Sequence, residues 1–564
     1  MNNTTFMGLE IALRGLYSSQ RGLANVSHNV DNINTPGYAR QVINQTAARP
    51  LLVASGAGML GMGSDVVSVD RVRDTYLDEK YWSESKYYGE WLVKATIIEE
   101  MQAIYNEPSD TGYTKIISDF FNALQTLSTD PSSEATRAMV MERGKAVAKY
   151  FNSVATHFDH MQEDLNNMVY SKVEEINNLA DQIRELNLQI YNFEVMGNKA
   201  NDLRDRRDYL VDKLSRLVNI EAYEVQTGLK LPNGEPETRF MVTISGKALV
   251  DHDNVVHLKC EARTTNLNAE DINNLYEVSW EDGNKVNIKS GELKGYLDMR
   301  DGNDGMVGLN GEKSPEYKGI PYYQRKMNEF VRVFAMAFNE GIIYNGQTKT
   351  YEDGKGHADG YVLYPDTNDT KAPDIGIRFF TMLGEDGKPM SSEAFIALMR
   401  GAGKPDGQEI DEFLDISDLT IDQIQAGYAF ITARNFSISW DIESDPTNNI
   451  AATDTEGEVS NNKNLLEIMK LRHNPYMFME GTPEDYIKTL VSSMGVDGQQ
   501  FTLYMEIQEN IMIQLENRRL SVSGVSLNEE MINLVKYQQI YGAAAKMIQT
   551  YSEVLDVLVN RLGI

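Results

Sequence analysis

Thiol chemistry is almost missing from this chain: 564 residues hold one cysteine, Cys260. No intrachain disulfide can form, so cohesion has to come from packing. A lone thiol can serve as a nucleophile, but beside the strand-like run Val255–Lys259 it reads as a small filler. Long hydrophobic runs are missing too. No stretch of 18 apolar residues occurs, so no apolar helix is expected to insert in a membrane. Met1–Gln20 carries Glu10 and Arg14 inside its apolar stretch and does not read as a cleaved secretory signal. Basic residues are scarce, 53 Lys and Arg against 83 Asp and Glu, for a formal net charge of −30. Such a surface repels phosphate backbones and anionic lipid, so neither nucleic acid nor a membrane surface is expected as a partner. On these absences alone the default location is the cytoplasm.

Catalytic constellations are equally thin. The seven histidines are His28, His157, His160, His252, His257, His357 and His473. His157 and His160 stand three apart on a helical stretch, a spacing open to a metal, but with Asp159 and Glu163 around them a solvated face is the better reading. Asp301-Gly302-Asn303-Asp304-Gly305, with Glu312 at a twelfth position, has the outline of a calcium loop. Met306 stands where glycine is required and Gly305 where a ligand is required, so it reads as a turn. Gly58–Gly63 resembles a phosphate loop but precedes a strand, not a helix, and reads as a bend. Tyr81, Trp82, Tyr87, Tyr88 and Trp91 share helical spacing and are expected in a core or interface. No cofactor, metal or catalytic residue is expected, and no enzymatic activity.

What the chain does have is periodicity. Leu9, Ala12, Leu16, Ser19, Leu23, Val26, Val30 and Ile33 step by three and four, the seam of a coiled coil. Asn34-Thr35-Pro36-Gly37-Tyr38 stops that helix, since Pro36 disfavours helix at Thr35 and Pro-Gly suits a type II turn. Asp65–Asp70 alternates like a strand, and 71–106 returns to helix. Val147, Phe151, Val154, Phe158, Met161 and Leu165, then Ile176, Leu179, Ile183, Leu186, Ile190 and Phe193, predict one helix on the order of 70 Å long at about 1.5 Å per residue. Phe240–Ile244, Tyr276–Trp280 and Lys285–Ile288 alternate as strands between turns at Pro232–Gly234 and Asp282–Asn284. Tyr322–Tyr344 and Asp485–Leu520 read as helices. After a break at Ser521–Ser526, Leu527, Met531, Leu534, Gln538, Tyr541, Ala545, Ile548, Ser552, Leu555, Val559 and Leu562 form a second seam, with Asn528 placed to cap it.

The expected fold is α+β and multidomain: terminal helices forming a coiled-coil rod, β-rich middle domains and an inserted variable domain. At about 150 residues per domain the length suits about three or four domains. The boundaries expected are a coiled-coil segment at 1–40, a long-helix rod at 41–220, a β domain at 221–320, a connecting helix at 321–345, an inserted domain at 346–446, the rest of the rod at 447–526 and a coiled-coil helix at 527–564. Folded back on each other, the terminal helices bury one stripe each. Leu9, Leu16, Leu23, Val26, Val30 and Ile33, with Met531, Leu534, Tyr541, Ala545, Ile548, Leu555, Val559 and Leu562, are the expected packing residues. Ile11, Leu13, Ile532, Val535, Ile540, Met547, Val554 and Leu558 are left over, and sister subunits are inferred to cover them. Periodicity equally allows a monomer with a self-contained helical bundle.

Three stretches bear a resemblance. Gly8–Leu23 with Ser27–Tyr38, ending Asn34-Thr35-Pro36-Gly37-Tyr38, is similar to the N-terminal signature of the flagellar axial family of rod, hook and hook-associated proteins. Gly524–Glu530, Tyr537-Gln538-Gln539 and Tyr541–Ala545 resemble a C-terminal block of the hook–filament junction members, with Asn528 where aspartate is common. Asn201–Leu210 and Ser290–Arg300 resemble segments of the same members, while 346–446 resembles nothing. The resemblance implies a structural subunit at the junction of hook and filament, exported uncleaved by the flagellar type III system to the cell exterior. It implies terminal segments that order on assembly. The implied partners are a ring of its own copies, the hook protein, the second junction protein and a cytoplasmic export chaperone on the C-terminal helix. The alternatives are another rod or hook protein, or a filament-anchored enzyme or adhesin carried by 346–446.

Overall fold

A computed structural model describes residues 4–52, 59–105, 112–230, 236–345, 348, 350–364, 374–405 and 407–561. The turn expected at Pro232–Gly234, Gly58 and Leu562 lie outside them, as does the side chain of Leu558. The chain is 58% helix and 15% strand, the strands falling in small sheets, which makes it α+β.

Helix α1 (Thr4–Asp31) ends in turns over Asn32–Gly37. Strands β1 (Gln41–Ala47) and β4 (Ser64–Arg71) form an antiparallel ribbon with a bulge at Asn44/Gln45, lengthened by β2 (Leu51–Leu52) and β3 (Met59–Leu60). Helices α2 (Thr75–Tyr105) and α3 (Tyr113–Thr129) lead to α4 (Glu134–Val195). The Ser133 side chain caps α4 by accepting the Thr136 N–H. At 62 residues α4 runs about 93 Å at about 1.5 Å per residue, longer than the periodic stretch required. Helix α5 (Asn201–Leu217) follows.

Strands β5 (Ile220–Lys230), β6 (Pro236–Ile244), β7 (Lys247–Asp251) and β8 (Asn254–Val255) make an antiparallel sheet in sequence order. Strands β9 (Leu258–Ala262) and β10 (Tyr276–Trp280) pair beside it, with half-buried Cys260 opposite Val278. The strand expected at Lys285–Ile288 is one bridge, Ser279 to Lys285. Helix α6 (Glu292–Asp301) precedes α7 (Ile320–Glu340). Helix α7 stops short of the expected Tyr344 because Gly341 takes a left-handed φ of 70° and its N–H closes on the Ala337 carbonyl. The chain then extends as β11 (Ile342–Asn345), paired with β12 (Thr350–Asp353).

Strand β13 (Phe380–Met382), helices α8 (Ser392–Arg400), α9 (Ile410–Leu414) and α10 (Ile421–Tyr428), strand β14 (Phe436–Ile438) and short helices α11 (Trp440–Ser444) and α12 (Pro446–Asn449) follow. Phe379, Phe380, Phe395 and Phe436 from this stretch join Phe120, Phe151, Phe330 and Phe334 in one apolar core. The Phe330 ring stacks between Phe151 at 5.2 Å and Phe478 at 4.9 Å. Residues 346–446 thus complete the core of the long helices. A second core joins α4 and α5 to the β5–β8 sheet through Val169, Ile176, Val211, Leu214, Val242 and Leu249. Helices α13 (Lys463–Lys470), α14 (Pro483–Ser523) and α15 (Leu527–Asp556) close the chain, with α14 packed along α2 and α15 along α1.

Candidate assembly interface

The three-residue break Gly524–Ser526 turns the chain from α14 into α15. Ser526 is the cap, its side chain accepting the Glu529 N–H. Asn528, the expected cap, lies inside the first turn, because the backbone is still extended at Ser526 (φ −94°, ψ 112°).

Helices α1 and α15 run antiparallel, and glycine sets their closest approach. A Cβ on Gly8 would stand 2.1 Å from the Tyr551 hydroxyl, and one on Gly22 would stand 2.5 Å from the Tyr537 ring. One on Gly15 would meet the Ala544 Cβ at 3.8 Å. At the next heptad the Asn29 amide donates to Glu530 Oε1 at 3.2 Å. These positions were missed in the sequence, although both trios, Gly8, Gly15, Gly22 and Tyr537, Ala544, Tyr551, repeat every seven residues. The expected packing residues flank this line. Val26 is buried, Leu9, Leu16, Leu23 and Val30 are half-buried, and Ile33 is half-buried just past the helix end. On α15, Leu534, Ala545, Ile548 and Leu555 are half-buried. Met531, Tyr541 and Val559 face solvent, Met531 at 64% and Val559 at 70%. Ile532, Val535, Ile540, Met547 and Val554 are also exposed, whereas Ile11 and Leu13 are half-buried.

At the base of the pair the signature turn is held by polar contacts. Asn34, Thr35 and Pro36 are exposed. Gly37, at φ 77°, backs onto Tyr209, where an added Cβ would come within 2.8 Å of the tyrosine Cβ. The Tyr38 hydroxyl donates to Asn29 Oδ1 at 2.8 Å, and the Gln41 N–H donates to the same oxygen at 2.9 Å. Asp205 accepts the Ala39 N–H at 2.9 Å and Arg71 at 3.0 Å, and Asp208 accepts Arg71 at 2.6 Å. Arg519 of α14 reaches Asp78 at 3.0 Å and Asp212 at 2.8 Å, and Trp82 Nε1 donates to Asp212 at 2.6 Å. The Asn201–Leu210 motif is therefore the clamp under the N-terminal signature. The Arg40 N–H donates to the Ser523 carbonyl at 2.8 Å, and its guanidinium meets Glu529 at 2.9 Å.

Burial pushes the carboxyls of this clamp up, and the surrounding cations and amides oppose it. Desolvation pushes Asp208 up, but Arg71, Arg207 and Arg73 outweigh it and hold the carboxyl at about 2. For Asp212 desolvation wins over Arg519 and Arg73, leaving it at about 6. Glu530 is raised by burial against the pull of Asn29 and Arg40.

The remaining motifs have structural partners. His157 and His160 are exposed, with His160 4.0 Å from Glu163. Among the described residues no group of three or more His, Cys, Asp or Glu is placed to hold a metal. Asp301 is paired with Arg263 and Arg300, and Glu312 with Lys285. Trp91 packs on Tyr317, Phe501 and Tyr504, Tyr81 lies under Arg519, Tyr88 sits by Arg216 and Tyr87 is exposed. Within 346–446 a cleft of about 810 Å³ is lined by Asp374, Glu393, Trp440, Asp441 and Asp445. Asp441 and Asp445 there accept the N–H groups of Ser392 and Asn448, holding backbone.

Two family descriptions match the chain: flagellar hook-associated protein FlgK helical domain over residues 98–349, and flagellar basal body rod FlgEFG protein C-terminal over residues 516–562. Flagellar hook-associated protein 1 of Bacillus subtilis (strain 168) is 27% identical over 577 residues, spanning 100% of this chain and 99% of its own. The protein of the same name from Salmonella typhimurium is 26% identical over 578 residues, spanning 97% and 98%. The solved flagellar hook junction protein FlgK from Burkholderia pseudomallei overlaps 80% of this chain and 100% of its own at TM-score 0.48 and 14% identity. With the N-terminal signature, its clamp and the C-terminal helix in one unit, the chain is similar from end to end to flagellar hook-associated proteins.

Proposed function

We propose that this chain is a structural subunit of the junction between flagellar hook and filament, working by assembly and not by turnover. The observation that carries the reading is the pair α1/α15. Its inner line is closed by glycine, alanine and tyrosine, yet Met531, Ile532, Val535, Ile540, Met547 and Val554 stand in solvent. Each such side chain gains roughly 1.5–3 kcal/mol only when buried. Neighbouring copies in a ring supply that burial, with the hook protein below and the second junction protein above. Before assembly the same stripe is the surface for a cytoplasmic chaperone, and export through the flagellar type III channel delivers the subunit outside the cell.

Deletion of residues 1–35 or 530–564 tests this. The truncated chains are expected to unfold cooperatively with a midpoint near that of the full chain, yet to fail to join isolated hooks. Truncated chains that still assemble overturn the reading. The engagement of Asp441 and Asp445 with backbone N–H groups argues against a hydrolase in 346–446, and hydrolytic turnover by the full chain would restore that alternative.

A further inference from the structure

Knobs and holes along α1 and α15 leave one question open. Gly8, Gly15 and Gly22 are equivalent holes one heptad apart, and Tyr537, Ala544 and Tyr551 are knobs with the same spacing. A slide of one heptad, about 10.5 Å at about 1.5 Å per residue, therefore does not clash at every step. Slid one way, Tyr537 meets Gly15 and Ala544 meets Gly8, both sterically allowed. Glu530 then faces Gly22 without the Asn29 amide, and Asn29 faces Ser523. Slid the other way, Tyr551 meets Gly15 and Ala544 meets Gly22, but Tyr537 lands on Asn29. That residue is fully buried and tied to Gln41 and Tyr38.

We propose that the glycine heptad and the Asn29–Glu530 hydrogen bond together are the register-determining residues of the terminal helix pair: the glycines choose the faces, and the polar pair chooses the heptad. A single buried polar contact sets register in coiled coils in the same way, at some cost in stability. Gln41 and Tyr38 aim the Asn29 amide from the turn that anchors α1 to the body, so the register is referred to the body. The proposal rests on the pairing of α1 with α15 and not on the junction role.

Cysteine cross-linking of the full-length chain tests it, with Cys260→Ser removing the only native thiol. The 3.8 Å between a Gly15 Cβ and Ala544 Cβ matches the mean Cβ separation of about 3.8 Å in a disulfide. G15C/A544C is expected to close within the chain at least tenfold faster than G8C/A544C or G22C/A544C, which report the two shifted registers. E530L is expected to narrow that ratio severalfold, whereas E530Q, which keeps the acceptor oxygen, preserves it. A merely structural role would slow all three pairs alike and leave the ratio untouched. Equal closure of the three pairs, a ratio unmoved by E530L, closure between chains in place of within them, or no closure of G15C/A544C would each overturn the proposal. Closure is read on the free chain and again on chain joined to isolated hooks, and failure to join hooks would strike the junction role alone.

Discussion

Asp208 shows how far one carboxylate can be committed. Its side chain is 6% exposed and sits among Arg71, Arg73 and Arg207, so its removal strands buried guanidinium charge. Asp208→Asn is expected to cost about 3–5 kcal/mol in urea unfolding. The pH dependence has a worked sign. Asp208 falls from 3.8 to about 2 on folding, so its contribution is complete above pH 3.8 and is lost as pH drops toward about 2. Asp212 moves the other way, from 3.8 to about 6, so its contribution is complete below 3.8 and is lost as pH rises through about 6. Asp212→Asn should therefore flatten the decline between pH 4 and 6, measured as unfolding midpoint against pH. The motif Asn201–Leu210 was legible as a resemblance, but which arginine meets which carboxylate was not. Arg71 lies 137 residues from Asp208, and no local spacing encodes that meeting.

Helices were read well in their middles and poorly at their ends. The three-four stepping of Val147–Phe193 requires one helix, and α4 is one, because every buried residue there lies on the same stripe. The C-terminus of α7 was misplaced because Ile342 and Ile343 continue the apolar pattern, and only Gly341 tells helix from strand. The α15 cap was misplaced for a related reason: Ser526 and Asn528 are both good caps, and the backbone at 526 decides. Ser526→Ala is expected to cost about 1 kcal/mol, read as earlier loss of helical ellipticity on heating. Phe330→Ala, emptying a stack shared by α4, α7 and the stretch before α14, should cost about 3–5 kcal/mol, read by urea unfolding. Helix α3 was missed in the sequence, although Ile117, Phe120, Phe121, Leu124 and Leu127 recur at helical spacing opposite exposed Lys115, Asn122, Gln125 and Thr126.

For the whole molecule, the fold-back of the two ends was legible from heptads alone, but the line of contact was not. Large apolar residues draw the eye to Leu9, Leu16 and Leu23, whereas close approach is set by the residue with no side chain just before each. Leu555, four residues past Tyr551, is half-buried in the lone chain and stands next to exposed Val554. Leu555→Asp is expected to leave the unfolding midpoint of the body within about 0.5 kcal/mol while abolishing incorporation on hooks, scored by electron microscopy. A mutant that joins hooks normally would show that this part of the stripe stays wet in the assembly. How residues 346–446 fold was not legible either, since their phenylalanines also find partners on helices more than 200 residues earlier, as Phe436 does on Phe151 and Phe380 does on Phe120.

The Arg40–Ser523 contact has a mechanical meaning. Two chain crossings leave the body side by side, laced by one backbone hydrogen bond, and carry the helix pair beyond it. A single tether would act as a swivel. A double strap yields to bending across its thin direction but resists rotation about its length, so a torque on the tip is handed to the body and not dissipated at the joint.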